Sequence, residues 1–186
     1  MNRWMVLGYG GLCGIFALEA TVRRGGTAAS LNAGSDDDGT TSEVVQAFVA
    51  AMILPPVLLA LPGPRLPRSL AALGLSAELA GLLVRRWSMA TLGAAYSRTL
   101  RTDAGQPLVS DGPYRLVRHP GYLGTLLTWF GFALTSRSAV VVGLIGLVFG
   151  RAYARRIAAE ERLLRRELPG YEAYAARTKR LLPGVW

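Results

Sequence analysis

The chain has 186 residues, of which 51% are hydrophobic and 18% charged, with a formal net charge of +9 and a mean hydropathy of +0.30. That balance excludes a disordered chain and departs from an ordinary soluble domain, in which about a quarter of the residues are charged. One cysteine, Cys13, and one histidine, His119, exclude an intrachain disulfide framework, a cysteine-based zinc site and a polyhistidine metal site.

The first apolar segment, Trp4–Val22, has a single charge before it, Arg3, and two after it, Arg23 and Arg24. No small-residue cleavage site separates the apolar core from those arginines, so a retained membrane helix is expected rather than a signal peptide. Gly25–Thr41 is polar and glycine-rich and contains Asp36, Asp37 and Asp38. It is expected to be a flexible loop whose acidic triplet is a solvated tip, a divalent-cation site being the weaker alternative. The second segment, Val44–Leu61, contains Pro55 and Pro56, which are expected to kink or break it. The run Pro62-Gly63-Pro64-Arg65-Leu66-Pro67 is a turn. A third segment, Ser69–Val84 with an alternative end at Trp87, carries Glu78 at its middle, and an ionisable residue at membrane depth is a functional candidate. The alternative sets Glu78 against a polar neighbour or a water pocket.

Arg85–Gly121 is polar and basic, interrupted by an apolar stretch at Trp87–Leu100. Tyr122–Thr135 and Ala139–Tyr153, joined by Ser136-Arg137-Ser138, then predict a tight helical hairpin. Its second helix should continue through Arg151–Leu168. The expected fold class is therefore all-α: a multi-pass membrane bundle of about five transmembrane helices, with a cytoplasmic C-terminal helix and a polar loop. Residues 1–86 would supply three spans and the polar loop 25–42, and residues 87–186 the chemistry. With the N-terminus outside, 17 Lys and Arg fall on the cytoplasmic side and 4 on the other. The positive-inside rule favours that orientation in a cell (inner) membrane. It also accounts for the net charge through anionic lipid headgroups, without nucleic acid.

Two polar islands carry the candidate chemistry. The first, Gln106–Tyr122, is punctuated by proline and glycine and ends with His119 and Pro120 at the mouth of the hairpin. The second contains Arg156, Glu160 and Glu161. Arg156 and Glu160 are four apart and share a helix face, which by spacing alone reads first as a surface salt bridge.

The ordered set of motifs goes further. Leu108-Val109, Gly112-Pro113-Tyr114, Arg118-His119-Pro120-x-Tyr122, Arg156-x-x-x-Glu160-Glu161, Gly170-Tyr171-x-x-Tyr174 and Leu182-Pro183 follow one another from about Trp87 to Pro183. This set resembles the isoprenylcysteine carboxyl methyltransferase family and is similar to the related membrane phospholipid methyltransferases. The resemblance implies a multi-pass enzyme that uses S-adenosyl-L-methionine and releases S-adenosyl-L-homocysteine. By motif match, Gln106, Pro107, Leu108, Val109 and Tyr114 lie along the cofactor, and His119, Pro120, Gly121 and Tyr122 form its second wall. Glu160 holds the cofactor's amino group, and Arg156 is assigned to the acceptor; these two make up the catalytic set. Gln106 and Pro107 depart from the His-Thr pair of the eukaryotic enzymes.

The residue types suit those roles. A carboxylate pairs with an ammonium through a charge-assisted hydrogen bond. Tyr114 or Tyr122 suits an adenine face or a cation, and His119 a purine edge or a ribose. Arginine grips a carboxylate with two prongs, and a carboxylate nucleophile needs no general base, so catalysis rests on orientation and desolvation. The expected acceptor is lipophilic, most readily a carboxylate on an isoprenoid- or lipid-like molecule, with an amine kept open. Membrane lipids are the other expected partners, with no metal and no nucleic acid. Two rivals are an NADPH-dependent membrane reductase of the sterol type and a non-enzymatic membrane scaffold.

Overall fold

A computed structural model describes residues 2–22, 35–97, 100 and 107–182. Six helices form: α1 (Arg3–Val22), α2 (Thr40–Leu58), α3 (Arg68–Leu92), α4 (Pro120–Thr135), α5 (Ala139–Glu167) and α6 (Tyr171–Arg177). Among the described residues there is no β-strand, only the isolated bridges Arg65–Ser138 and Val117–Lys179. The all-α expectation holds. Gln106 and Pro183, both singled out in the sequence, lie outside the described residues, as does most of the 25–42 loop.

Pro55 and Pro56 do not break α2, which runs one further turn to Leu58. Proline at 56 leaves the Met52 carbonyl without its helical donor, and the Tyr9 hydroxyl of α1 donates to that oxygen at 3.0 Å. The prolines therefore sit where a neighbour repairs the backbone and the helix is about to end.

α3 is longer than its apolar stretch and runs unbroken through residues 86 and 87, the expected boundary between the halves. Arg85 does not end it, because its guanidinium turns inward. It donates to Glu19 of α1, to the Tyr96 hydroxyl at 3.0 Å, to Thr125 Oγ1 at 2.7 Å and to the Gly121 carbonyl at 3.3 Å.

α3 and α4 pack backbone against backbone. A Cβ added at Gly81 would lie 2.5 Å from the Gly124 carbonyl oxygen, and one at Gly74 2.6 Å from that of Gly131. The two glycine pairs are seven residues apart on each helix and run in opposite directions, so they form one antiparallel seam of small residues. Glu78 lies beside it at 2% exposure. Neither of its carboxyl oxygens has a hydrogen-bond partner among the described residues, and a Cβ at Gly11 would meet Oε1 at 2.5 Å.

The chain start and both hairpin turns meet at one end of the bundle. The Asn2 amide donates to the Ser136 carbonyl at 3.1 Å, Leu66 N–H to the Arg137 carbonyl at 2.8 Å, and Arg137 Nε back to the Leu66 carbonyl at 2.9 Å. Glu19, Asp37, Arg85, His119 and Arg156 gather at the opposite end. Val6, Leu7, Val49, Ile53, Leu79 and Leu83 are exposed along α1, α2 and α3, an apolar exterior that water does not favour. Among the described residues one helix, Thr40–Leu58, is long and apolar enough to cross a membrane by length and composition. α4, at 16 residues, is shorter than the roughly 20 of a straight span.

Candidate active site

His119 sits immediately before α4, with Pro120 as the first helical residue, where a missing N–H costs nothing. The approach to it is pinned by the chain's last described segment. Arg118 N–H donates to the Lys179 carbonyl at 2.7 Å, and His119 N–H to that of Arg180 at 3.0 Å. The imidazole is 5% exposed and lies between two carboxylates of α5. Nε2 is 3.2 Å from Glu161 Oε1, and Nδ1 is 3.5 Å from Glu160 Oε2. Its ring stacks on Tyr122 at 5.6 Å.

Glu160 and Glu161 are adjacent in sequence but differ in what they touch. Glu161 is buried and saturated: Arg118 Nη2 and Nε reach Oε1 at 2.6 and 2.8 Å, and Arg180 Nε reaches Oε2 at 3.2 Å. Arg118 also donates to the Ala175 carbonyl at 2.9 Å and to that of Thr178. Glu161 thereby fastens the C-terminal segment to α4. Glu160 is half-buried and takes a hydrogen bond from Tyr122, yet its buried Oε2 has no hydrogen-bond partner among the described residues.

Arg156 is 4% exposed, so it belongs to no surface salt bridge. Its Nη1 donates to Asp37 Oδ1 at 2.7 Å, Thr41 Oγ1 at 2.7 Å and Thr40 Oγ1 at 3.1 Å, and its Nε to the Tyr122 hydroxyl at 3.2 Å. The expectation of a solvated acidic tip fails at Asp37, while Asp36 and Asp38 keep solvent exposure. Asp37 is buried against Arg156, Asp36 pairs with Arg166 at 2.9 Å, and Asp38 pairs with Arg162. The partners lie more than a hundred residues downstream, beyond the reach of any local sequence pattern. Asp37, Arg156, Tyr122, Glu160, His119 and Glu161 thus form one connected polar cluster.

The electrostatics follow from the contacts. Burial opposes charge on His119, but hydrogen bonds to Glu160 and Glu161 outweigh it and hold its pKa above the ordinary value. Burial pushes both glutamates up, yet His119 pulls each below the usual carboxylate range, with Tyr122 helping at Glu160. At Glu161, Arg118 adds to His119 and the pKa falls to about 2. Burial likewise raises Asp37, and its bonds to Thr41, with Arg156 nearby, bring it down. The three carboxylates of the cluster are therefore ionised near neutrality.

The remaining expected site residues lie in the segment that leads into α4 and in its first turn. Tyr114 lies buried in the short turn Gly112–Arg115, its hydroxyl 2.6 Å from Ser88 Oγ and its carbonyl accepting from the Tyr174 hydroxyl at 2.7 Å. Leu108 packs on the cluster of Leu168, Tyr171 and Tyr174. Val109 is half-buried, Pro107 exposed and Pro120 buried. The Gly121 carbonyl takes hydrogen bonds from Arg85 and Thr125, and a Cβ at Gly121 would lie 3.1 Å from Ser88 Oγ. Asp37, Ser88 and the clamping role of Glu161 were missed in the sequence. Only Glu161 had a signal, the doubled glutamate of the second island.

Residues 72–166 match the model of the isoprenylcysteine carboxyl methyltransferase (ICMT) family. The chain belongs to that family. A solved structure of the eukaryotic intramembrane Ras methyltransferase ICMT superposes with a TM-score of 0.60 at 18% identity, covering 97% of this chain and 63% of that one, which shows a shared fold. The cobalt-zinc-cadmium resistance protein CzcN of Cupriavidus metallidurans is 33% identical over 97 residues, which cover 52% of this chain and 45% of CzcN. A probable protein-S-isoprenylcysteine O-methyltransferase of Oryza sativa subsp. indica is 30% identical over 115 residues, 60% of each chain. The chain thus spans about half to three-fifths of the curated relatives it matches. Within the ICMT family match lie every charged member of the cluster except Asp37.

Proposed function

We propose that this protein is an integral-membrane, S-adenosylmethionine-dependent methyltransferase acting on the carboxylate of an isoprenoid- or lipid-like acceptor. The observation that carries this reading is the buried Glu160 Oε2, which among the described residues has only the long 3.5 Å approach of His119 Nδ1 to satisfy it. Such an oxygen needs a donor, and an ammonium group supplies one with charge. The cofactor, when bound, provides an electrophilic methyl on a sulfonium. Glu160 binds its amino group, while Leu108, Val109, Tyr114 and the His119–Tyr122 turn form the walls, with Gln106 and Pro107 at the rim. Arg156 orients the acceptor carboxylate, and the buried setting excludes water from the reacting groups. We place five spans around this site, with the N-terminus outside and the cluster at the cytoplasmic end of the bundle. A lipophilic acceptor then arrives sideways from the bilayer and the polar cofactor from the cytoplasm.

Calorimetry with S-adenosylhomocysteine on detergent-purified protein tests the cofactor. Binding is expected, weakened by about 1.5–3 kcal/mol in Glu160→Gln, the scale of a hydrogen bond to a charged group. Equal affinity in the variant returns Glu160 to a structural role. A rise in melting temperature with NADPH and none with S-adenosylhomocysteine would instead favour a reductase. Arg156→Ala should leave cofactor affinity unchanged and lower turnover on an N-acetyl-S-isoprenylcysteine about a hundredfold, with Arg156→Lys a partial rescue.

A further inference from the structure

The acidic segment before α2 has no place in the function as stated so far. Yet Asp37, 2% exposed, is built into the site with more contacts than surface chemistry requires. Its Oδ1 accepts from the Thr41 hydroxyl at 2.7 Å and the Thr40 hydroxyl at 3.2 Å, and its Oδ2 from Thr41 N–H at 3.0 Å. The same two hydroxyl oxygens accept from Arg156 Nη1 at 2.7 and 3.1 Å. Each hydroxyl thus gives its proton to Asp37 and a lone pair to Arg156, so the pair is held in one geometry. At the surface Arg155–Glu43 and Arg166–Asp36 pin the same segment to α5. Exposed pairs of that kind contribute little by themselves, whereas the buried pair cannot lose one partner without stranding the other's charge.

We propose that Asp37 is a positioning residue for the acceptor: it fixes Arg156 and balances its charge, setting how firmly the acceptor carboxylate is held. This rests on the role of Arg156 given above. A carboxylate loses its negative charge as it is methylated. An uncompensated guanidinium would therefore favour the bound acceptor over the transition state, which deepens binding and slows the chemistry. With Asp37 in place, Arg156 orients the acceptor without overholding it. The determinant lies outside residues 72–166, so this property is set by the N-terminal half of the chain rather than by the family-matched segment.

The test is Asp37→Asn, which keeps the shape and the hydrogen bonds accepted by Oδ1 but removes the charge and the bond that Oδ2 accepts from Thr41 N–H. Acceptor KM and kcat should both fall, each by about tenfold, while the Kd for S-adenosylhomocysteine stays at the wild-type value. Asp37→Glu should restore both in part. Wild-type KM and kcat in Asp37→Asn would overturn the proposal, as would a parallel loss of cofactor affinity, which marks a purely structural role. If Asp37→Asn does not fold, Thr41→Val, which removes the shared hydroxyl, reads the same two parameters: a fall in both supports the proposal, and unchanged values overturn it. Wild-type protein that binds S-adenosylhomocysteine but methylates no carboxylate acceptor sinks the role of Arg156 itself, and Asp37 falls with it. Variant-to-wild-type ratios address Asp37 alone.

Discussion

The two helix seams of this bundle are built by opposite means. α3 and α4 meet through Gly74, Gly81, Gly124 and Gly131, with backbone oxygens where side chains would otherwise stand. α2 and α5 meet through alanines at Ala47, Ala50 and Ala51 facing Val141, Ile145 and Phe149, with an apolar crevice left between them. The first seam has no spare volume. The second has some, and is closed at the site end by Asp37–Arg156 and Arg155–Glu43. Close backbone approach fixes the geometry of α4 and hence of His119 at its start. The looser seam leaves an apolar crevice between α2 and α5, with its register held at the site end by charge rather than by shape.

That contrast is open to attack. The largest effect is expected from Gly124→Leu, because even a Cβ there would lie 2.7 Å from the Gly81 oxygen and from the Arg85 nitrogen. No folded, monodisperse protein should be recovered in detergent. Recovery with normal melting would show that the seam is not tight. Next comes pH, to which the glycine seam is indifferent and the charged end is not. Glu161, held down to about 2, stabilises the fold above the ordinary carboxylate range of roughly 4.3, and that stabilisation is lost as pH falls from there toward about 2. His119, whose pKa is raised, stabilises the fold below its ordinary value, and that is lost as pH rises through the raised value. Melting temperatures across pH should therefore fall on both sides of a maximum, and Glu161→Gln should flatten the acid limb. An unaltered acid limb would place the sensitive carboxylate elsewhere. The smallest effect belongs to Ala50→Val, which adds two methyl groups to the crevice. Stability should change by less than about 1 kcal/mol in either direction. A loss comparable to that of a tight glycine position would erase the distinction between the seams.

Much of this was legible beforehand, and the exceptions share a physical cause. Hydropathy and the short Ser136–Ser138 connector gave the α4–α5 hairpin, because both report local sequence. The motif order brought His119, Tyr122, Arg156 and Glu160 to one place. The proline pair does not break α2, and the donor that answers it is a hydroxyl on another helix, which no local pattern names. α3 runs past its apolar stretch for a similar reason: the charge of Arg85 is met by Glu19 from α1. Asp37 was illegible because its meaning is Arg156, 119 residues away. Charge at a helix end carries no record of its partner, whereas apolar periodicity carries its own.

The clamp of Arg118 and His119 on Lys179 and Arg180 has a consequence for biogenesis. The cluster draws on a segment that leaves the ribosome early, Ser35–Thr41, and on one that leaves it late, residues 178–180. Contacts of such long sequence separation are the slowest to form. A nascent chain with its helices already in the bilayer therefore lacks a finished cluster until those last residues have been made. Under the proposed function, capture of the methyl donor then waits for residues 178–180, and a ribosome that stalls before Thr178 leaves a bundle without its assembled cluster.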